Sequence, residues 1–169
     1  ALRPPIDGID SARCVDSTGL LAQTEVPKRI VVLGGGIIGC EFASILNRFG
    51  SEVTIVEMLP TLIPQEDEDA AKELLKQFKK RGIAVHLESQ CDRIEETGDG
   101  LRVHFAGQAV DADLMLVATG RGPVTQDLGL EAIGVELDPR KGIAADERRR
   151  TTIPHIYAVG DCAGYWQLA

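Results

Sequence analysis

An α/β domain organised around a buried, largely parallel sheet is what this sequence predicts, on three observations. Arg29-Ile30-Val31-Val32-Leu33, Val53-Thr54-Ile55-Val56 and Leu114-Met115-Leu116-Val117-Ala118 are short continuous apolar runs, the pattern of strands buried on both faces. Between the first two lies a stretch with apolar residues at helical spacing, so strand, helix and strand alternate. Composition agrees: 44% of the 169 residues are apolar but only 4% aromatic, so aliphatic side chains must fill the core. A chain of this length makes one domain, or one domain with fragments of another.

Residues 1–27, with turn formers Pro4, Pro5, Gly8, Gly19 and Pro27, read as an entry strap and not an independent unit. The strand Arg29–Leu33 follows and ends in three glycines. A helix is predicted from Ile37, with Ile38, Phe42, Ile45 and Phe49 on one face and Gly50 as its C-terminal cap. Val53–Val56 closes a strand–helix–strand unit of about thirty residues, the length that a right-handed parallel crossover needs.

A second helix is expected next. Glu66, Asp67, Glu68 and Asp69 suit the positive end of its dipole, and Lys76, Lys79, Lys80 and Arg81 the negative end. Its apolar stripe is Ala71, Leu74, Leu75 and Phe78, and Gly82 stops it. The acidic run invites a metal-site reading, but dipole matching on a solvated helix explains it with less, and no metal is expected. Ile83, Val85 and Leu87 alternate as in a third strand. Residues 91–111 read as antiparallel strands with a turn at Gly98-Asp99-Gly100, and Leu114–Ala118 as another buried strand stopping at Thr119-Gly120. A short piece at Gly134–Leu137 and a last strand at Ile156–Val159 complete the pass.

The formal net charge of −8 argues against nucleic acid or an anionic membrane as main partner, and Arg148, Arg149 and Arg150 read as a solvated stretch. No run of about 18 apolar residues is present, and the N-terminus lacks a signal-peptide stretch. Cys14, Cys40, Cys91 and Cys162 are scattered, with no metal-ligand spacing, and suit free thiols in a cytoplasmic protein. His86, His104 and His155 have no partner in the sequence that marks a catalytic base. No catalytic residue is expected in this chain.

Gly34-Gly35-Gly36-Ile37-Ile38-Gly39 fits G-x-G-x-x-G, and it follows a strand and opens a helix, the context that gives the pattern meaning. Gly34 makes the tight turn, Gly36 lets a pyrophosphate approach the backbone, and Gly39 lets the helix pack closely on the strand. The free N–H groups where Ile37 and Ile38 begin the helix, with its dipole, supply the charge complement. Glu57, 21 residues after Gly36, ends the second strand where a carboxylate can accept both adenosine ribose hydroxyls. A 2′-phosphate there meets a like charge, and Met58-Leu59-Pro60-Thr61-Leu62 offers no Arg or Lys to receive it. NAD(H) is therefore expected over NADP(H).

These residues resemble a known family. Glu25 through Glu41 looks like the start of the NAD domain in dihydrolipoamide dehydrogenases, which belong to the FAD-dependent pyridine nucleotide–disulfide oxidoreductases. Val117-Ala118-Thr119-Gly120-Arg121-Gly122-Pro123 resembles the family's second glycine signature. Thr151 through Asp161 resembles the segment that returns to the FAD domain. The resemblance implies a Rossmann-like NAD-binding domain, a parallel sheet with flanking helices plus an antiparallel β-meander, with partial FAD-domain strands at both ends. It implies a partial FAD-domain strap at 1–27, an NAD-binding domain at 28–147, and a partial return to the FAD domain at 148–169.

The resemblance also implies roles. Gly34, Gly36 and Gly39 hold the NAD pyrophosphate and Glu57 the ribose; Cys91 gives a backbone contact near the adenine; Gly120 lies against the nicotinamide half. Glu41 matches a carboxylate near the nicotinamide–flavin contact, and Ile37 stands where some relatives carry a gating tyrosine. Gly160 and Asp161 belong to the FAD-binding segment, with Asp161 on the ribityl chain, and Ala169 gives a nearby backbone contact. Val124 departs from the usual Asn after the proline, and Tyr165-Trp166-Gln167 from the usual flavin-side composition.

In such an enzyme electrons pass from dihydrolipoamide through a disulfide and FAD to NAD. The FAD loop, the redox cysteine pair and the dimerisation domain of the family are not in this sequence, so it reads as an excised, inactive segment whose partners are the FAD and dimerisation domains. A 2-oxoacid dehydrogenase complex is a further implied partner. Mercuric reductase, soluble transhydrogenase and NADH peroxidase-like enzymes share these motifs, and a non-catalytic NAD-sensing module is the alternative from another class.

Overall fold

The computed structural model describes residues 1–138 and 142–164. The chain divides into two compact units, residues 1–120 and 121–169. The first holds β1 (Cys14–Val15), α1 (Ser17–Leu21), β2 (Arg29–Leu33), α2 (Ile37–Arg48), β3 (Glu52–Val56), α3 (Glu68–Lys80), β4 (Ala84–His86), β5 (Cys91–Glu96), β6 (Leu101–Phe105), β7 (Gln108–Ala112) and β8 (Leu114–Val117).

Five strands form one sheet in the order β1-β8-β2-β3-β4, every pairing parallel. Strands β5, β6 and β7 form a separate antiparallel meander. Alternation along the strands sorts side chains to two cores. Ile30 and Val32 of β2, Val53 and Ile55 of β3 and Leu116 of β8 face the helices, where they meet Ala43, Leu46 and Phe78. Val31 and Leu33, Val56, and Met115 and Val117 face the meander, against Leu101, Val103 and Phe105. Burial on both faces is why these strands read as unbroken apolar runs.

Helix α3 follows the expected pattern. Asp67 caps it by accepting from the N–H groups of Asp69 and Ala70, Ala71 and Phe78 are buried, and Gly82 leaves it with φ +80°. Helix α2 does not bury the expected face. Gly39, Cys40, Ala43 and Leu46 go inward, Ile38 and Phe42 are half-buried, and Ile45 and Phe49 stay exposed at 46% and 68%. Both stripes satisfy a 3.6-residue period, so spacing alone does not choose between them. Close approach chooses: a Cβ on Gly39 would overlap the Gly34 carbonyl oxygen, so only small residues let α2 lie this near β2.

The entry segment does more than strap. Its β1 pairs in parallel with β8, Cys14 opposite Met115, and its α1 is capped by the Asp16 carboxylate on the Gly19 N–H at 2.9 Å. The main sheet, the entry segment included, lies within residues 1–120.

In the second unit, a 3₁₀ turn (Glu131–Ile133), β9 (Leu137–Asp138), β10 (Gly142–Ile143) and a 3₁₀ turn (Asp161–Ala163) surround a small core of Val135, Ile143, Ala158 and Ala163. The strand expected at Ile156–Val159 does not form among the described residues. Tyr157 makes a single antiparallel bridge to Arg150, and Tyr157 and Val159 are exposed at 59% and 71%. A strand is defined by its partners, and no further described strand pairs with this segment. Of the three arginines, Arg148 and Arg150 are exposed and Arg149 is half-buried, in a turn held by Asp146, which pairs with Arg150 at 2.8 Å. No described helix is long and apolar enough to cross a membrane.

Candidate functional site

The parallel strands all end on one edge, and the turn after β2 lies where the order reverses, with β3 on one side and β8 on the other. A crevice at such a switch point is where open α/β sheets take ligands. Gly34 turns the chain there with φ +109°, donating its N–H to the Val56 carbonyl at 2.9 Å; a Cβ on it would sit 2.5 Å from the Ala118 carbonyl oxygen. At Gly36 the opposite holds, because nothing lies within 4 Å of where a Cβ would be, so the backbone is open to an approaching group.

Gly36 has no side chain to cap α2, and the first N–H accepted within the helix is that of Cys40, at 2.9 Å on the Gly36 carbonyl. The N–H groups of Ile37, Ile38 and Gly39 thus begin the helix without an intrahelical acceptor. Three glycines, three different constraints and one uncapped helix fit a pyrophosphate.

Glu57 leaves β3 on the same edge and is only 6% exposed. One carboxylate oxygen accepts from the Gly35 N–H at 2.5 Å and the other from the Leu59 N–H at 2.7 Å. Two oxygens offer about four acceptor sites, so capacity remains for ribose hydroxyls. The Glu57 backbone also receives the Ser89 N–H at 2.9 Å, which brings the turn before Cys91 to the same edge. Met58 and Leu59 are exposed at 69% and 41%, an uncharged rim beside the carboxylate.

The loop after β3 folds back onto the middle glycine, which sequence reasoning left without a role. The Ile63 N–H donates to the Gly35 carbonyl at 2.8 Å, with Ile63 itself at φ +40°, and Leu62 is fully buried where a Cβ on Gly35 would meet it at 2.6 Å. A β-branched residue in the left-handed region is held there by its surroundings. Leu62 and Ile63, apolar residues in the loop that follows the acid, were the available signal.

Cys40 lies beneath the loop, its Sγ 3.3 Å from the Gly35 carbonyl oxygen, and burial, with the Glu57 and Glu41 carboxylates adding to it, pushes the thiol up to about 12. Glu41 and the half-exposed Ile37 line a groove of about 440 Å³ between α2 and α3, shared with Phe78 and Arg81. Cys91 is buried in β5, its thiol raised by burial to about 11. Gly120, at φ +131°, accepts the Leu2 N–H at 2.9 Å just past β8. Within the second unit, Gly160 has φ +82° and Asp161 is exposed at the start of its 3₁₀ turn. Ala169, like Tyr165, Trp166 and Leu168, lies outside the described residues. Glycine loop, Glu57, Gly120 and the approach to Cys91 thus share one sheet edge.

None of the histidines sits in a reactive cluster. His86 packs on Phe105 with ring centroids 4.8 Å apart, His104 pairs with Glu95 at 3.1 Å, and His155 is exposed. No group of three potential metal ligands occurs among the described residues.

A family model described as "Pyridine nucleotide-disulphide oxidoreductase" matches residues 1–169. The chain belongs to this family. Among its relatives, the dihydrolipoyl dehydrogenase of Chlamydia trachomatis is 39% identical over 160 residues, covering 95% of this chain and 34% of that protein. The dihydrolipoamide dehydrogenase of Chaetomium thermophilum is 44% identical over 160 residues, covering 90% and 32%. The structure of the HOCl-induced flavoprotein disulfide reductase RclA from Escherichia coli superposes with a TM-score of 0.92 at 37% identity, covering 99% of this chain and 39% of that one. The chain therefore spans about a third of the length of the curated relatives it matches.

Proposed function

We propose that this chain is the NAD(H)-binding segment of a flavoprotein disulfide reductase of the dihydrolipoamide dehydrogenase type. The observation that carries the reading is the pairing of an open, uncapped glycine loop with an acidic Glu57 and an uncharged Met58–Leu59 rim on one sheet edge. Gly34, Gly36, Ile37, Ile38 and Gly39 form the pyrophosphate site: Gly34 makes the turn, Gly36 leaves the backbone open, and the N–H groups of Ile37, Ile38 and Gly39 with the helix dipole meet the charge. Glu57 accepts the ribose hydroxyls, and its charge disfavours a 2′-phosphate. The segment at Cys91 serves the adenine, and Gly120, Glu41 and Ile37 serve the nicotinamide half. Gly160, Asp161 and Ala169 belong to the flavin side.

When bound, FAD and NAD supply the redox chemistry, taking two electrons from dihydrolipoamide by way of a redox disulfide. The chain's own residues orient the nicotinamide and keep the phosphates neutralised. Its partners are the FAD and dimerisation domains and a 2-oxoacid dehydrogenase complex. The four unpaired cysteines suit a reducing, cytoplasmic setting.

A second reading within the family, a reductase acting on another substrate, is supported by the likeness to RclA. Mercuric reductase, soluble transhydrogenase and NADH peroxidase-like activities fall under it, and a non-catalytic NAD sensor stands outside it. Joined to flavin-bearing and dimerisation domains of a dihydrolipoamide dehydrogenase, the chain should support dihydrolipoamide-dependent NADH formation and alone should support none. Turnover with another donor but not dihydrolipoamide favours the second reading. Turnover by the chain alone contradicts both.

A further inference from the structure

Gly35 is engaged on every side. Its N–H is taken by the Glu57 carboxylate, its carbonyl accepts from Ile63, and its α-carbon is covered by Leu62. It has nothing left to give a phosphate. The same carboxylate holds the Leu59 N–H at 2.7 Å, so one buried anion ties the phosphate loop to the segment following β3.

We propose that Glu57 is a positioning residue for the phosphate loop as well as a ribose acceptor, and that Glu57, Leu62 and Ile63 clasp Gly35 so that pyrophosphate and ribose recognition are coupled. The proposal rests on the nucleotide reading above for its ligand, but the clasp itself exists without one. Charge-assisted hydrogen bonds to a partly dehydrated carboxylate are about twice as strong as neutral ones, which suits the fixing of a loop. Pre-setting the loop removes an ordering cost from binding. It also gives Glu57 an effect on ligands that never touch it.

The test is Glu57→Gln in the full chain, probed with reduced nicotinamide mononucleotide, which carries a phosphate but no adenosine ribose. An amide side chain sets an NH₂ against one of the two backbone donors, so the clasp loosens. The loss of a negative charge, by itself, strengthens binding of an anion. The clasp predicts the opposite sign: mononucleotide binding weakens about five- to tenfold, the scale of one lost hydrogen bond. Amide exchange at Gly35 and Leu59 in nucleotide-free protein should quicken about tenfold or more.

Leu62→Ala, which touches neither charge nor ribose, should shift both readouts in the same direction. Mononucleotide binding and Gly35 exchange unchanged in both variants, with only NADH weakened by Glu57→Gln, overturn the proposal. If the wild type binds neither NADH nor the mononucleotide, the nucleotide reading fails separately, and exchange at Gly35 still decides the clasp. An unfolded Glu57→Gln leaves Leu62→Ala to decide it.

Discussion

The α-carbon of Gly39 lies so close to the carbonyl oxygen of Gly34 that a side-chain carbon on Gly39 would overlap it. This contact sets the height of α2 above β2 and so the position of the helix N-terminus at the sheet edge. It also explains why the helix buries its small residues and leaves Ile45 and Phe49 outside.

Gly39→Ala tests that contact. Alanine gains about 1 kcal/mol of helix propensity over glycine. Pressing a methyl into backbone costs about 1–3 kcal/mol and displaces the helix. The clash wins, so the urea midpoint should fall and NADH affinity should drop with it. A more stable variant with unchanged affinity would show that the contact relaxes freely.

Much of the fold was legible. Ile30–Leu33, Val53–Val56 and Leu114–Val117 are buried on both faces, so pattern and environment agree. Gly82 and Asp67 mark the ends of α3 by local chemistry. What was not legible depended on partners distant in sequence. Cys14-Val15 is too short to read as a strand until β8 lies beside it, and Ile156–Val159 reads as one but lacks a described partner strand. The place of Glu57 just after β3 was legible from spacing, whereas its grip on Gly35 depends on a loop whose backbone, at Ile63, departs from ordinary geometry.

Thiol reactivity should divide sharply. Burial pushes Cys14 to about 11, Cys91 to about 11 and Cys40 to about 12, while Cys162 is partly exposed in the second unit. At neutral pH an aromatic disulfide reagent should modify one thiol quickly, Cys162, and the other three only on unfolding. Three or four fast thiols would contradict this packing.

Asp113 joins the start of β8 to that of β2, with its carboxylate 2.7 Å from the Arg29 guanidinium and 2.9 Å from the Arg29 N–H. Partial burial alone would raise its pKa, but the guanidinium and the backbone donors overcome it, and the carboxyl is held below its ordinary value. A lowered folded pKa means the contribution is present above the unfolded value, near 3.9, and is lost as pH falls through the folded one. Asp113→Asn should therefore destabilise at pH 7 and converge on the wild type as pH falls through the lowered folded value, as read by thermal unfolding at stepped pH. Because the pair is partly exposed, added salt should shrink the gap. A constant gap across that window would assign the effect to packing.

We propose that this sheet edge takes NAD(H) and that the Glu57 carboxylate refuses a 2′-phosphate. Calorimetric titration of the chain with NADH and, in parallel, NADPH tests it most directly. NADH should be clearly preferred, and Glu57→Ala should lose about 10- to 100-fold in NADH affinity with the preference abolished. Equal binding of both nucleotides by the wild type, or a preference for NADPH, would contradict it.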